Sequence, residues 1–180
     1  SSRLSASRSP RPGRCWKAPI CLVENIISLD FNNKKLLKEV YKSLGEIAIN
    51  EDNYSNYINS NNILYNFLCD LIFYSDYNLD LNDEIDIDKI FKAYDIKIDT
   101  SYENPLEKII EYIDLVIELL KSEIFIIFNL GLYFSKEEIK NILKYAEQKQ
   151  IIIISIERFY QNFNIGEKQI LFDNDLCRVL

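Results

Sequence analysis

The sequence contains no histidine, and this absence excludes several kinds of active site. A Ser-His-Asp or Cys-His nucleophile, a histidine general base and a histidine metal ligand all require the imidazole ring. The four cysteines form no C-x-x-C pair, so we do not expect a zinc site. This cysteine usage favours reduced thiols, and we therefore expect a cytoplasmic protein.

Glycine is also scarce, with four residues in the 180-residue chain. Neither G-x-x-x-x-G-K-S/T nor G-x-G-x-x-G occurs, so the chain lacks the glycine-rich loop that binds phosphates in nucleotide-binding proteins. Long apolar runs are absent too, because Lys, Glu or Asp interrupts each run before it reaches membrane-spanning length. We therefore expect neither a nucleotide site nor a membrane partner.

Residues 1–20 differ in composition from the rest of the chain. They contain five basic residues, no acidic residue and the only tryptophan, whereas the whole chain has a formal charge of −7. Arg, Pro, Ala, Ser and Gly are frequent here, but Ile, Asn, Lys and Tyr dominate afterwards, which indicates a change in codon usage. We interpret residues 1–20 as a non-native or disordered basic segment. The alternative is a basic arm that binds nucleic acid.

Two apolar runs predict the centre of the fold. Ile124–Phe128 is unbroken, which is typical of a strand covered on both faces in a parallel sheet. Ser135 and Glu138 then form a capping box that predicts the start of a helix. The second run, at 151–156, follows this helix and completes a right-handed βαβ unit. Ligands bind at the carboxyl ends of strands in such sheets, here near 129–133.

Helical periodicity and capping residues predict the remaining elements. They are a strand at 21–31, a helix at 34–48 capped by Asn32 or Asn33, a polar loop at 50–62, a helix at 63–74, a short helix at 85–94, a short strand at 96–99, a helix from Pro105 to Lys121 and a last strand at 169–172. The helix at 63–74 is apolar nearly all round, so we expect it to be buried between partners. The predicted fold is α/β, with an α/β head at 21–31 and 96–180 and an α-helical leg lobe at 32–95.

Residues 76–88, DYNLDLNDEIDID, carry a dense set of carboxylate and amide oxygens. Asp76, Asn78 and Asp80 match the first three ligand positions of an EF-hand loop, but Leu81 and Ile87 replace its glycine and its bidentate glutamate. The stretch is therefore not an EF-hand, although oxygen ligands at this density suit Ca²⁺, which tolerates irregular geometry. A solvated acidic loop is the alternative. Three acidic residues downstream extend the candidate ligand set: Asp99, Glu103 and Glu107.

Four lysines cluster at the start of the helix predicted at 34–48: Lys34, Lys35, Lys38 and Lys42. Three of them, Lys34, Lys38 and Lys42, lie on one helix face. Such a face can contact nucleic-acid phosphates, although the acidic charge of the whole chain opposes this. The alternative is a solvated helix face.

Four segments in this order give the chain a resemblance to a known family. They are CLVENIISLDFNN, LIFYSDYNLDLNDEIDIDKIFKAYDIKID, EIFIIFNLGLYFSKEEIKNILKYAEQKQIIIISIE and FDNDLCRVL. The chain resembles the Csn-two proteins of type II-A CRISPR systems, which are accessory proteins of spacer acquisition. That family has a strand and a helix before the segment that matches the chain at Cys21. In this chain residues 1–20 stand in their place, so we expect the head to lack part of its sheet.

The resemblance implies a fold, an assembly and a set of site residues. The fold is an α/β head related to P-loop ATPase heads but without a nucleotide site, plus an α-helical leg. Four copies form a ring that encircles double-stranded DNA at free ends, and Ca²⁺ at the acidic loop holds the ring shape. The matching acidic residues are Asp80, Asp83, Glu84 and Asp99. The basic lining of the ring is assigned to Lys34, Lys35, Lys38 and Lys42.

The resemblance thus predicts a non-enzymatic protein that binds double-stranded DNA ends as a calcium-stabilised homotetramer. Its partners are the CRISPR integrase proteins and the RNA-guided nuclease. One alternative is a metal-dependent nuclease that uses the acidic loop, because two-metal catalysis also needs clustered carboxylates. The other is a plain acidic α/β module for protein interaction.

Overall fold

The computed structural model describes residues 19–82, 86–102 and 104–159, together with Lys168 and Ile170. These residues form three parallel strands and six helices, which confirms the predicted α/β class. In chain order the elements are β1 (Ile20–Val23), α1 (Lys34–Ala48), α2 (Tyr54–Phe73), α3 (Ile87–Ala93), α4 (Pro105–Leu120), β2 (Ile124–Phe128), α5 (Leu130–Tyr133), α6 (Lys136–Lys149) and β3 (Ile152–Ile156).

The sheet has the strand order β1-β2-β3, so β2 pairs with a neighbour on both sides. Both pairings are parallel and bring Ile20 and Ile152 beside Ile124. On one face of the sheet, Phe125 and Ile127 of the central strand are fully buried. They belong to one core with apolar residues of α1, α4, α5 and α6: Leu36, Ile109, Ile113, Val116, Leu130, Ile139 and Ile142.

The other face of the sheet is largely open. Its edge-strand side chains are 42–59% exposed: Ile20, Leu22, Ile152, Ile154 and Ile156. The strand order explains this, because the strands follow one another across the sheet in chain order. Right-handed connections that progress in one direction all lie on the same face. The expected cover on both faces is therefore incomplete: Ile124 of β2 is buried, but Ile126 and Phe128 are only half-buried.

Short-range capping signals placed three helices correctly. Asn33 begins α1 and accepts hydrogen bonds from the backbone N–H groups of Lys35 and Leu36, both at 3.1 Å. Asn104 accepts from the N–H of Leu106 and begins α4, which has Pro105 in its first turn. The capping box at the start of α6 is also formed, with bonds in both directions between Ser135 and Glu138. A local hydrogen-bond pattern suffices for each of these starts.

Two predicted strands in the described residues are wrong in extent or kind. The strand predicted at 21–31 ends at Val23, because Asn25 and Asp30 accept hydrogen bonds from backbone N–H groups two residues further on. Such bonds form turns rather than a strand ladder. The stretch at 96–99 pairs with no strand of the described chain; the Asn32 side chain bonds both the N–H and the C=O of Ile98. The last predicted strand, 169–172, lies outside the described residues.

The prediction of a loop for the Asn-rich stretch 50–62 is wrong for most of its length. Helix α2 begins at Tyr54, whose N–H donates to the carbonyl of Asn50 at 2.9 Å. The polar composition reflected exposure and not the lack of a helix. The 63–74 segment was predicted to be buried, yet α2 contains no buried residue. Among the described residues, no helix is both long and apolar enough to cross a membrane.

Helices α4 and α6 are joined by an ion pair at the surface. Lys149 Nζ donates to Asp114 Oδ1 at 2.6 Å and lies 5.4 Å above the Tyr145 ring. Burial acts to raise the pKa of Asp114, but the contacts with Lys149 and Tyr145 outweigh burial, so the pKa lies below its ordinary value. Because the folded-state pKa is depressed, this pair stabilises the protein above the unfolded pKa of aspartate. The contribution is lost as the pH falls through the folded-state pKa.

Because the two faces of the sheet differ in burial, we expect the same substitution to change the free energy of unfolding by different amounts on each face. Ile127→Ala should lower the free energy of unfolding by about 2–5 kcal/mol, because it leaves a cavity in a closed core. Ile154→Ala should cost less than half as much, since Ile154 is 45% exposed. Urea unfolding monitored by circular dichroism measures both. Equal costs would mean that both faces of the sheet are covered in solution.

The ion pair predicts a pH-dependent stability difference. Asp114→Asn should lower the free energy of unfolding by about 0.2–1 kcal/mol at pH 7, a small value because both side chains are partly exposed. The difference should disappear as the pH falls through the depressed pKa of Asp114, because the wild-type carboxyl is then neutral as well. Asp70→Asn, at an exposed position without an ion pair in the described structure, is the control. A difference that persists in acid would exclude the ion pair as its cause.

Candidate nucleic-acid interface and acidic loop

The four predicted DNA-binding lysines lie on the exposed side of α1. Lys34, Lys35, Lys38 and Lys42 all reach solvent, while Leu36 and Tyr41 on the other side are buried. In the part of the chain that the structure describes, none of the four forms an ion pair. Their ammonium groups are therefore available to a polyanion.

The position of these lysines is unfavourable for the helix itself. Lys34 and Lys35 occupy the first turn of α1, which contains no acidic residue. A cation near a helix N-terminus opposes the helix dipole and costs about 0.3–1 kcal/mol. A bound phosphate would reverse this cost, since helix N-termini attract anions.

Side-chain hydrogen bonds connect α1 and the residue before its cap to the segment at 96–98. The Tyr41 hydroxyl donates to the carbonyl of Ile96 at 2.9 Å, and Asn32 bonds the backbone of Ile98. Near β1, burial raises the pKa of the Cys21 thiol, whereas the Tyr112 hydroxyl and the charge of Lys35 lower it by less. The lysines are therefore carried on a helix that hydrogen bonds and core packing hold in place.

The predicted calcium ligands are only partly described. Asp83 and Glu84 lie outside the described residues, as does Glu103. Asp80 Oδ1 accepts a hydrogen bond from the N–H of Leu81 at 2.9 Å. Asp99 Oδ1 accepts from the hydroxyl and the N–H of Ser101, and these bonds lower the pKa of Asp99.

In the described structure each of these carboxylates accepts hydrogen bonds through Oδ1, and Asp99 stays ionised well below neutral pH. Carboxylate oxygens are the ligands that Ca²⁺ prefers. Among the described residues, however, no group of three or more potential ligands comes together. The donor chemistry suits Ca²⁺, and the calcium site itself stays a prediction.

The structure fills the carboxyl end of β2 with the protein's own groups. Asn129 adopts a left-handed conformation, with φ of 54°, which asparagine tolerates better than most residues. Its Oδ1 accepts from the N–H of Arg158, and Glu157 Oε1 accepts from the N–H of Gly131 and from the Ser155 hydroxyl. Internal hydrogen bonds thus occupy the position where a ligand was expected, and Asn129 acts as a turn residue.

Two surface features were not predicted from the sequence. One is a second row of lysines with four-residue spacing, Lys136, Lys140 and Lys144, all exposed on α6. The spacing alone is a sufficient signal for it. The other is the exposed apolar side of α2, where Ile63, Phe67 and Leu71 are 51–71% exposed. Sequence could not reveal this exposure, because an apolar helix normally predicts burial.

Comparison with known proteins adds the family. The family model described as CRISPR-associated protein (Cas_Csn2) matches residues 15–176. The CRISPR-associated protein Csn2 of Enterococcus faecalis is 26% identical over 145 residues, which cover 78% of this chain and 65% of the relative. The Csn2 protein of Streptococcus agalactiae is 26% identical over 146 residues, with the same coverage. The chain thus spans about 65% of the length of these relatives. It belongs to the CRISPR-associated Csn2 family.

Proposed function

We propose that this protein is a non-enzymatic, ring-forming protein that binds double-stranded DNA ends during CRISPR spacer acquisition in type II-A systems. It assembles in the cytoplasm as a calcium-stabilised homotetramer and works with the CRISPR integrase proteins and the RNA-guided nuclease. Family membership supports the CRISPR role. The exposed lysines of α1 are the observation that carries the DNA-binding part of the proposal.

The lysines of α1 suit a ligand that is recognised by charge alone. Three of them, Lys34, Lys38 and Lys42, are spaced by four residues, which places them about 6 Å apart along the helix axis. Lysine contacts phosphates as a point charge and reads no base sequence. A protein that binds DNA ends irrespective of sequence needs contacts of this kind. In a ring, the acidic residues can face outward while the lysines line the hole.

The apolar side of α2 supports self-assembly. Ile63, Phe67 and Leu71 are spaced by four residues and form a continuous exposed stripe, with Leu64 beside it. A contiguous apolar surface of this kind usually marks an interaction site. Since no described part of the same chain buries it, a second copy of the chain is the partner that the homotetramer supplies.

The acidic loop supports the calcium part of the proposal. Asp80 and Asp99 supply carboxylate oxygens, and Asp83 and Glu84 add oxygen ligands between them in sequence. When bound, Ca²⁺ would neutralise carboxylates that otherwise repel one another, and this would fix the position of the loop. Asp80 and Asp99 would then hold the metal directly.

The first prediction from this proposal concerns assembly and DNA topology. With Ca²⁺, size-exclusion chromatography with light scattering should give four times the 21.3-kDa chain mass. The tetramer should retain blunt-ended linear duplex but not closed circular DNA, because only DNA with a free end can pass into a closed protein ring. Chelation of Ca²⁺ should reduce both the mass and the DNA retention, and Asp80→Asn should do the same in the presence of Ca²⁺.

Other outcomes of this experiment would select the alternatives. Cleavage of linear duplex with Mg²⁺ or Mn²⁺, abolished in Asp80→Asn, would replace the proposal with a nuclease. A monomer or dimer that ignores both Ca²⁺ and DNA would replace it with a protein-interaction module. Glu118→Gln, which also removes one negative charge but lies at an exposed position on α4, controls for the change in net charge.

A second prediction tests the surface of α2. Leu71→Asp should shift the tetramer to smaller species, because burial of a carboxylate in an apolar interface is unfavourable. The fold should survive, since Leu71 is already 51% exposed. Leu132→Asp is the matched control, with the same substitution at a position on α5 that is 73% exposed. Light scattering and circular dichroism measure the two effects; an intact Leu71→Asp tetramer would exclude α2 from the interface.

A third prediction tests the lysines of α1. Lys38→Gln should weaken duplex binding and reduce the slope of log K against log salt by about 0.9 for each phosphate that is no longer neutralised. Lys97→Gln is the control, because Lys97 is already paired with Asp95 at 2.5 Å. Fluorescence anisotropy over a series of NaCl concentrations gives both slopes. Equal slopes for Lys38→Gln and wild type would remove Lys38 from the interface.

A further inference from the structure

Helix α6 carries a second row of basic side chains. Lys136, Lys140 and Lys144 are spaced by four residues and reach solvent, so their Cα atoms follow one another at about 6 Å along the axis. On the opposite side of the helix, Ile139, Ile142 and Ala146 are buried in the core. We call these three lysines the α6 lysine row. It is carried on a helix that packing holds in place.

The α6 lysine row has no partner among the described acidic residues. The ion pairs of the described chain involve three other lysines: Lys89, Lys97 and Lys149. The carboxylate of Glu138, in the same turn as the row, is bonded to Ser135 in the capping box. Glu137 and Glu147 are exposed on α6 and reduce the local positive potential, but neither approaches the row closely enough to form an ion pair.

Lys149, on the same helix, differs from the row because its ammonium group contacts other side chains of the protein. It is bonded to Asp114 of α4 at 2.6 Å and lies over the ring of Tyr145. The three lysines of the row have neither kind of contact in the described structure. These three lysines therefore have no role in packing α6 onto the described part of the protein.

The row and the lysines of α1 are carried on different helices, both of which contact α4. Helix α4 lies between the two, because its Tyr112 contacts Cys21 and Phe31 next to α1, while its Asp114 contacts Lys149 of α6. Residues two positions apart on an α-helix point about 200° apart, so these contacts lie on opposite sides of α4. The chain therefore presents two separate basic rows.

We propose that the α6 lysine row is a second contact surface for the phosphate backbone of duplex DNA, additional to the lysines of α1. The proposal rests on the proposed DNA binding and extends it to a second helix. Regularly spaced ammonium groups on a rigid helix match a polyanion with regularly spaced phosphates. Lysine is a point charge, so the row strengthens binding and contributes no base specificity.

The test compares single and triple neutralisation of lysines on one helix. Duplex binding by the full chain, with Ca²⁺, is measured by fluorescence anisotropy with a blunt-ended duplex over a series of NaCl concentrations. Replacing Lys136, Lys140 and Lys144 together with Gln should reduce the slope of log K against log salt by about 2.7, at about 0.9 for each phosphate that is no longer neutralised. Lys144→Gln alone should reduce the slope by about 0.9. Lys144→Arg keeps the positive charge and should have the wild-type slope.

Lys149→Gln is the matched control, because it removes one charge from the same helix at a position that already has a partner. Its salt slope should equal that of the wild type. If the wild type binds with a salt-dependent affinity and the triple variant has the same slope, this inference is overturned and the proposed function stands. If the wild type shows no salt-dependent binding to duplex DNA, the proposed function fails first and the inference fails with it.

Discussion

The strand order of the parallel sheet is the constraint on which the rest of the structure depends. Strands that follow one another across a sheet in chain order, with right-handed connections, have all their connecting helices on one side. Phe125 and Ile127 of the central strand face that side and are fully buried under helices. The opposite side holds equally apolar residues, yet Ile152 and Ile154 remain more than two-fifths exposed. One topological fact therefore explains both the closed core and the open face.

Helix α4 is the second organising element, because it contacts different parts of the protein on its two sides. The aromatic ring of Tyr112 meets Phe31 edge-on at 5.2 Å, and burial raises the pKa of the Tyr112 hydroxyl above its ordinary value. On its other side, Asp114 forms a surface ion pair with Lys149 of α6. Helix α4 thus contacts neighbouring elements on both of its sides, and the two rows of lysines are carried on two different helices.

An acidic chain that binds DNA must concentrate its positive charge locally. The formal charge of −7 would repel a duplex on average, but exposed charges act only over about a Debye length, about 8 Å at physiological salt. Lysines spaced by one helical turn, without acidic partners in the described structure, create a positive surface within that distance. The acidic loop lies elsewhere in the sequence, where its negative charge can attract a cation. Local lysine rows and a separate acidic loop are thus compatible with both proposed ligands.

Family membership and the positions of several helices and strands could be predicted from the sequence alone. Four sequence segments in order carried the resemblance, and the family comparison bears it out. The run at Ile124–Phe128, the cap at Asn33 and the capping box at Ser135 each act within a few residues, so their outcome does not depend on distant parts of the chain. Two of the four predicted calcium ligands, Asp83 and Glu84, lie outside the described residues, so the calcium site stays a prediction.

The sequence by itself determined where most strands and helices begin, which residues are charged, and which family the chain belongs to, because these follow from short-range hydrogen bonding and residue identity. Only the tertiary structure decided which apolar surfaces are covered. The apolar side of α2 and the second face of the sheet looked like core in the sequence, yet both are exposed. Burial depends on which other elements the topology brings into contact, and this information is not contained in the local pattern of any one segment.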